Sequence, residues 1–234
     1  MILRVLDNEN EALNSVIDSD EMCFPPKMSR ILKMIPVFNI IYEFWSKNNI
    51  QLDTVFNSLV RCDQLLAMIQ NLENQEKRHI YASYLNFCEE VQVLPLIPLK
   101  EMLVLFKNYM AEAEIKLEDR DLACIKEYFY EFVRRNYFIE KNGRFNTVFF
   151  YENLEVANMS MKDFGRKSVK FCEVEIVETR SMDRYDRHWL TDIKPNSIFK
   201  ECLDAAKNYW SGEMTKHPDV EYLFSGKYVL KELK

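Results

Sequence analysis

The 234-residue chain has no glycine before residue 143, and its four glycines, Gly143, Gly165, Gly212 and Gly226, all fall in the last 92 residues. Glycine weakens helices, whereas folds rich in strands and turns use its access to positive φ. The glycine-free stretch therefore reads as mostly helical, and the last hundred or so residues as mixed. Charge divides at nearly the same place. Residues 1–135 hold 15 Lys+Arg against 21 Asp+Glu, whereas residues 136–234 hold 16 of each, so the net charge of −6 belongs wholly to the first part.

Within the first part, apolar residues recur near the helical period. Ile31, Ile35, Phe38, Ile41, Tyr42 and Trp45 form one stripe, Leu52, Val55, Phe56, Leu59 and Val60 a second, and Leu65, Leu66, Met68, Ile69 and Leu72 a third. Tyr81, Tyr84, Leu85 and Cys88 continue the pattern. Pro95 and Pro98 mark a connection before Met102–Met110 resumes. Asp119 or Asp121 starts a further helix through Ile125, Tyr128, Phe129, Phe132 and Val133 that ends near Gly143. Such stripes are how amphipathic helices bury one face, so they read as bundle core.

The most apolar run, Ile31 to Trp45, is broken by Lys33, Pro36 and Glu43 and falls short of the roughly 20 clean residues a bilayer crossing needs. No membrane association is expected. The first twenty residues carry five acids and lack a basic start followed by an apolar run, so a cytoplasmic location is expected. Six cysteines without a CxxC pair, and three histidines of which no two share a helical turn, argue against a metal site and a disulfide framework.

The period changes in the second part. Thr147–Tyr151 reads as a strand, Leu154–Phe164 as a helix stopped by Gly165, and Val169–Val177 as an alternating strand. Asn196 or Ser197 caps a helix carrying Ile198, Cys202, Ala205, Ala206 and Tyr209 that ends at Gly212. Glu221–Phe224, Ser225-Gly226 and Lys227–Leu230 read as a hairpin. The layout is α+β: residues 1–30 with a possible first strand, a helical part over 31–135, and an α+β domain over 136–234.

No phosphate loop, GxGxxG, HExxH or GxSxG motif occurs, so any chemistry must rest on side chains. The candidates are Arg144, the aromatic run Phe149-Phe150-Tyr151, the charged stretch Asp183-Arg184-Tyr185-Asp186-Arg187-His188, and Glu221. Taken singly, each has a plain structural reading. Arg144 can serve as a helix C-terminal cation, residues 183–188 as a solvated loop, and Glu221 as an edge-strand charge. His188 and His217 read as surface residues.

The order of these pieces carries more. Gly143-Arg144-Phe145-Asn146, with the strand and helix after it through Ala157, resembles the GR[F/W]N segment of RES-type toxins, which belong to the wider ADP-ribosyltransferase-like fold. Ala206-Lys207-Asn208-Tyr209-Trp210-Ser211-Gly212 and Glu221-Tyr222-Leu223-Phe224-Ser225-Gly226 are similar to the AxxYWxG and ExLxxG segments that end a bacterial domain family of unknown function. The resemblance covers about residues 125–234. It implies a split, strongly bent β core with NAD in a cleft, Glu221 as the catalytic residue and Arg144 on NAD. Arg4 on a first strand would be a second NAD contact, Phe150 or Tyr151 would hold nicotinamide, and residues 31–130 would form a helical insertion. Thr147 or the same aromatics would stand where related transferases have a serine motif. Trp210 is assigned to core packing.

Chemistry is consistent with those roles. Breaking the nicotinamide–ribose bond builds positive charge on the sugar, which a nearby carboxylate stabilises. A guanidinium fork suits a pyrophosphate, and an aromatic face suits a flat heterocycle. The leading expectation is an NAD-dependent ADP-ribosyltransferase, a toxin or defence effector that modifies a protein or nucleic acid and is itself met by an antitoxin or chaperone. The alternative is a non-catalytic interaction protein, its helical part binding a partner on a degenerate scaffold.

Overall fold

A β-branched and aromatic run makes Val148–Tyr151 extended, and partial alternation of apolar and charged residues does the same for the longer Lys170–Asp186. A computed structural model describes residues 1–6, 13–21, 25–81, 93–117, 124–163 and 170–233 of the chain. Helix and antiparallel sheet are both present, as α+β requires. Contacts divide the chain into two units. The first comprises Met1–Met28, Val133–Asp192 and Ala206–Lys234, and the second Ser29–Phe132 and Ile193–Ala205.

The first unit is built on one antiparallel sheet. Its strands are β1 (Leu3–Leu6), β2 (Val16–Asp18), β5 (Val148–Tyr151), β6 (Lys170–Asp186) and β7 (Val220–Glu232). Their order is β2-β7-β5-β1-β6, and β6 pairs with β7 as well, so β1, β5, β7 and β6 close a circuit. Val220–Glu232 is one continuous strand, not the expected hairpin. Its register against β6 slips by one residue at Val177 and again at Arg180, giving two bulges that bend the ribbon. Gly226 sits opposite Thr179 beside them. A Cβ there would come within 2.0 Å of the Glu178 carbonyl oxygen. This glycine permits a close backbone approach, not a turn.

The sheet buries different material on its two faces. Val148, Phe150, Cys172, Val174, Phe224, Tyr228 and Leu230 form an apolar cluster with Ile17. On the other face Val5 and Tyr151 pack against Val156, Ala157 and Met161 of α6 (Leu154–Asp163). Asn153 starts that helix by accepting the Val156 amide at 3.0 Å.

The second unit is mainly helical, with most of α1 (Pro25–Asn48), α2 (Leu52–Val60), α3 (Cys62–Glu73), α4 (Leu96–Glu112) and most of α5 (Ile125–Tyr137). Phe38, Trp45, Phe56, Phe129, Phe132 and Phe199 meet ring to ring in its core. Residues 193–205, which the sequence reading placed in the C-terminal domain, belong to this unit. The Leu52 amide donates to the Ser197 carbonyl at 2.8 Å, and Trp45 and Phe199 lie 5.1 Å apart. Two other readings are corrected. Tyr81 lies on a strand, β3 (His79–Tyr81), which pairs with β4 (Val93–Pro95). Pro98 stands in the first turn of α4, where its missing amide is tolerated. Asp119, Asp121, Tyr84, Leu85, Cys88 and Gly165 lie outside the described residues. Among the described residues no helix is long and apolar enough to cross a membrane.

Candidate functional site

Glu221 is the second residue of β7, directly opposite Tyr151 of β5 on one side and Tyr185 of β6 on the other. Partners opposite one another share a sheet face, so two phenol rings flank the carboxylate. The segment before β5 brings in a guanidinium. Gly143–Thr147 forms a tight turn in which the Asn146 amide (3.3 Å) and the Thr147 hydroxyl (3.0 Å) both donate to the Gly143 carbonyl. That turn directs Arg144 over the Phe149 ring, 4.9 Å from its centroid, and onto Glu221 Oε1. Thr147 is thus the tether of the Arg144 turn.

Two further groups converge on the same carboxylate. Tyr209, on α8 (Phe199–Ser211) after the short α7 (His188–Asp192), donates its hydroxyl to Oε1 at 2.6 Å and accepts from Arg144 Nη1 at 2.5 Å. Arg187 Nε lies 3.5 Å from Oε2. All four are interior: Glu221 is 1% exposed, Arg144 4%, Arg187 5% and Tyr209 0%. Burial pushes the Tyr209 phenol well above its ordinary range; Arg144 opposes the shift and Glu221 adds to it. Tyr209 therefore stays protonated and donates. Burial and then Glu221 also raise the Tyr151 phenol, which bonds the Ser160 hydroxyl at 2.8 Å.

Aromatic packing fixes Tyr209 in place. Its ring stacks on Tyr185 with centroids 4.6 Å apart, and Trp210 meets both rings edge-on. Trp210 is fully buried, in keeping with a packing role. The helix ends at Gly212 with φ +80°, which lets the chain reverse. Its start is not capped by Asn196 or Ser197: the Ile198 amide donates to Glu201 at 3.0 Å, and the Ser197 hydroxyl accepts from the Lys194 amide.

A family model described as protein of unknown function (DUF2441) matches residues 38–233. The chain belongs to the DUF2441 family. The match spans Arg144, Tyr151, Tyr209 and Glu221 and begins beyond Arg4. No curated protein matches this DUF2441 chain.

Of the residues singled out from the sequence, the DUF2441 fold brings Glu221, Arg144 and Tyr151 together. Phe150 and Arg4 it does not. Phe150 is fully buried between Phe224 and Tyr228 on the opposite sheet face, so its ring is core, not a platform for nicotinamide. Leu3 is opposite Tyr151 in the register, which turns Arg4 to the Phe150 side. There Arg4 lies 5.7 Å from the Tyr228 ring centroid and donates to the Phe149 carbonyl at 3.4 Å. Among the described residues, Glu221 is enclosed by its partners and is 1% exposed.

The stretch 183–188 is not a solvated loop. Tyr185 and Asp186 end β6, and Asp186 is fully buried. Burial raises the Asp186 carboxyl, but hydrogen bonds from the Thr215 hydroxyl and the His188, Thr215 and Asp219 amides outweigh it and hold the group below its usual range. His188, 40% exposed, lies between Asp186 and Asp219, at 3.1 and 3.6 Å. His217 is exposed. Sequence reasoning named Asp186 and Arg187 only as members of the charged 183–188 stretch, without a role of their own, and missed Tyr209 as a site group. The signal for Tyr209 was its place in the AxxYWxG segment; for Arg187 it was the strand alternation that places it in phase with Tyr185.

Proposed function

We propose that the chain is an NAD-consuming ADP-ribosyltransferase whose chemistry centres on Glu221. The observation that carries this reading is the convergence of Arg144, Tyr209 and Arg187 on one carboxylate between Tyr151 and Tyr185. A carboxylate is what an oxocarbenium-like ribose needs beside it, and guanidiniums are what a diphosphate needs. Arg144 and Arg187 would meet the diphosphate, and Glu221 would orient the ribose and stabilise its developing charge. Phe149, the ring that Arg144 covers, and Tyr151 are the aromatics nearest the nicotinamide role. The finer fold assignment, an ADP-ribosyltransferase-like bent β core, belongs to the same proposal, supported by the closed β1-β5-β7-β6 circuit and the GRFN turn. So does a role as a toxin or defence effector acting on a macromolecule.

The reading requires the site to open, because a ribose reaches Glu221 only when Arg144 or Tyr209 leaves it. One observation favours a second reading: Glu221 is 1% exposed and fully paired. A closed network of this kind also fits a non-catalytic scaffold in which the ion pair fixes the sheet's geometry.

The test is to incubate wild type and Glu221→Gln with labelled NAD, alone and with cell lysate, and follow nicotinamide release and label transfer. Transfer to a macromolecule that Glu221→Gln abolishes is the expected result. Nicotinamide release without transfer makes the protein a glycohydrolase, and no NAD consumption by either protein leaves the scaffold reading.

A further inference from the structure

We propose that Tyr209 is a built-in plug, and that the loop after α8, latched to Asp186, keeps it seated on Glu221 in a closed, autoinhibited site. This rests on the reading of Glu221 as the catalytic carboxylate. Oε1 is engaged by Tyr209 and Arg144 and Oε2 faces Arg187, so Oε1 is closed to a ligand while Tyr209 stays in place.

Tyr209 lies in the last turn of α8, three residues before the reversal at Gly212. The chain then runs through residues 213–219 into β7, and its attachment is concentrated at one carboxylate. Asp186 accepts from the Thr215 amide (2.8 Å), the Thr215 hydroxyl (2.6 Å) and the Asp219 amide (3.0 Å). Trp189 Nε1 adds a bond to the Glu213 carbonyl at 2.7 Å, and the Arg187 amide one to the Asp219 carbonyl at 2.8 Å. Releasing this latch frees the loop that follows the plug and leaves aromatic packing and its own hydrogen bonds to hold Tyr209.

The closed form also holds an unsatisfied polar group. The Tyr185 hydroxyl is buried and finds no hydrogen-bond partner among the described residues. Its ring is the one Tyr209 stacks on. An unsatisfied buried hydroxyl disfavours the state that contains it. Departure of Tyr209 uncovers the Tyr185 ring face beside the carboxylate.

The experiment reads closure independently of NAD chemistry. Wild type, Thr215→Val and Tyr209→Phe are treated with a water-soluble carbodiimide and an amine, and labelling of Glu221 is measured by peptide mass against Glu152, whose side chain is 46% exposed. Thr215→Val loosens the latch; Tyr209→Phe keeps the ring and removes the plug's hydrogen bond, so one variant serves if the other fails to fold. Both are expected to raise Glu221 labelling about tenfold over wild type, the shift that roughly 1.4 kcal/mol of lost closing energy gives. NAD turnover should rise with it. Labelling that rises while no protein consumes NAD leaves the plug standing and removes the transferase reading. Unchanged labelling in folded variants overturns the plug, as does labelling that rises while NAD turnover falls, which would make Tyr209 a positioning residue.

Discussion

The two faces of the sheet in the first unit bury different material, an apolar cluster on one and a charge network beside apolar packing on the other. On one, Phe150, Phe224, Tyr228 and Leu230 interdigitate as an apolar cluster. On the other, Glu221 gathers two guanidiniums and a phenol from three separate stretches of chain. The apolar face gains stability from area removed from water, which tolerates substitution in proportion to the volume lost. Glu221 has no such latitude: a buried carboxylate is tolerated only while its partners stay in place, and removing one member strands the others. One strand, β7, carries both arrangements on alternate residues, so a single change on either face tests one without touching the other.

The largest expected effects come from breaking each face outright. Glu221→Ala and Phe150→Ala should each lower unfolding free energy by about 3–5 kcal/mol, the first by stranding buried guanidiniums and the second by opening a cavity. Urea denaturation of the double mutants separates them. Glu221 and Arg144 substitutions should couple by more than about 1 kcal/mol, whereas Glu221 and Phe150 substitutions should add within about 0.5 kcal/mol. Strong coupling between Glu221 and Phe150 would mean that the faces are not independent.

Next in size is Gly226→Ala, where the new Cβ would meet the Glu178 carbonyl at 2.0 Å and the Phe224 ring at 2.8 Å. A loss of about 1–3 kcal/mol is expected from the overpacking, with the bulged ribbon shifted on both faces. Full stability in this variant would show that the ribbon relaxes freely there.

The pH dependence of stability should mark the polar face. The Tyr209 and Tyr151 phenols are raised in the folded state, and the Cys202 thiol of the second unit is pushed by burial to about 12 from 9.0. As pH rises past 9 to 10 the unfolded chain releases these protons while the folded one keeps them. Stability therefore falls with alkali, and Tyr209→Phe should shrink that fall. Asp186 is depressed, so the stability it contributes is present above its unfolded value of 3.8 and is lost as pH drops below it. Asp186→Asn should flatten the acid limb. The smallest effect belongs to the exposed Lys170–Glu232 pair at 2.9 Å: Lys170→Gln should leave the denaturation midpoint unchanged.

Much of the local structure could be read from residue order. The β-rich run at 147–151, the helix over 154–163 and the helix stop at Gly212 follow from propensity and from the one residue type that enters the left-handed region cheaply. Arg144 and Glu221 were legible as a pair through the resemblance of their flanking segments. Ser225-Gly226 misled because a turn and a close backbone approach demand the same residue. Residues 183–188 misled because two acids, two arginines and a histidine look solvated until their partners are known. Those partners sit far along the chain: Glu221 for Arg187, and Thr215 and Asp219 for Asp186.

By itself the sequence determined where this chain is helical, where it alternates, and which polar residues are rare enough to carry chemistry, because those properties depend on neighbours within a few residues. Only the tertiary structure decided that Phe150 and Arg4 turn away from Glu221, and that Tyr209 covers it within an enclosed cluster. Which face a strand residue takes, and whether a charge is buried, depend on register and on partners tens of residues away, and a shift of one position in pairing reverses both.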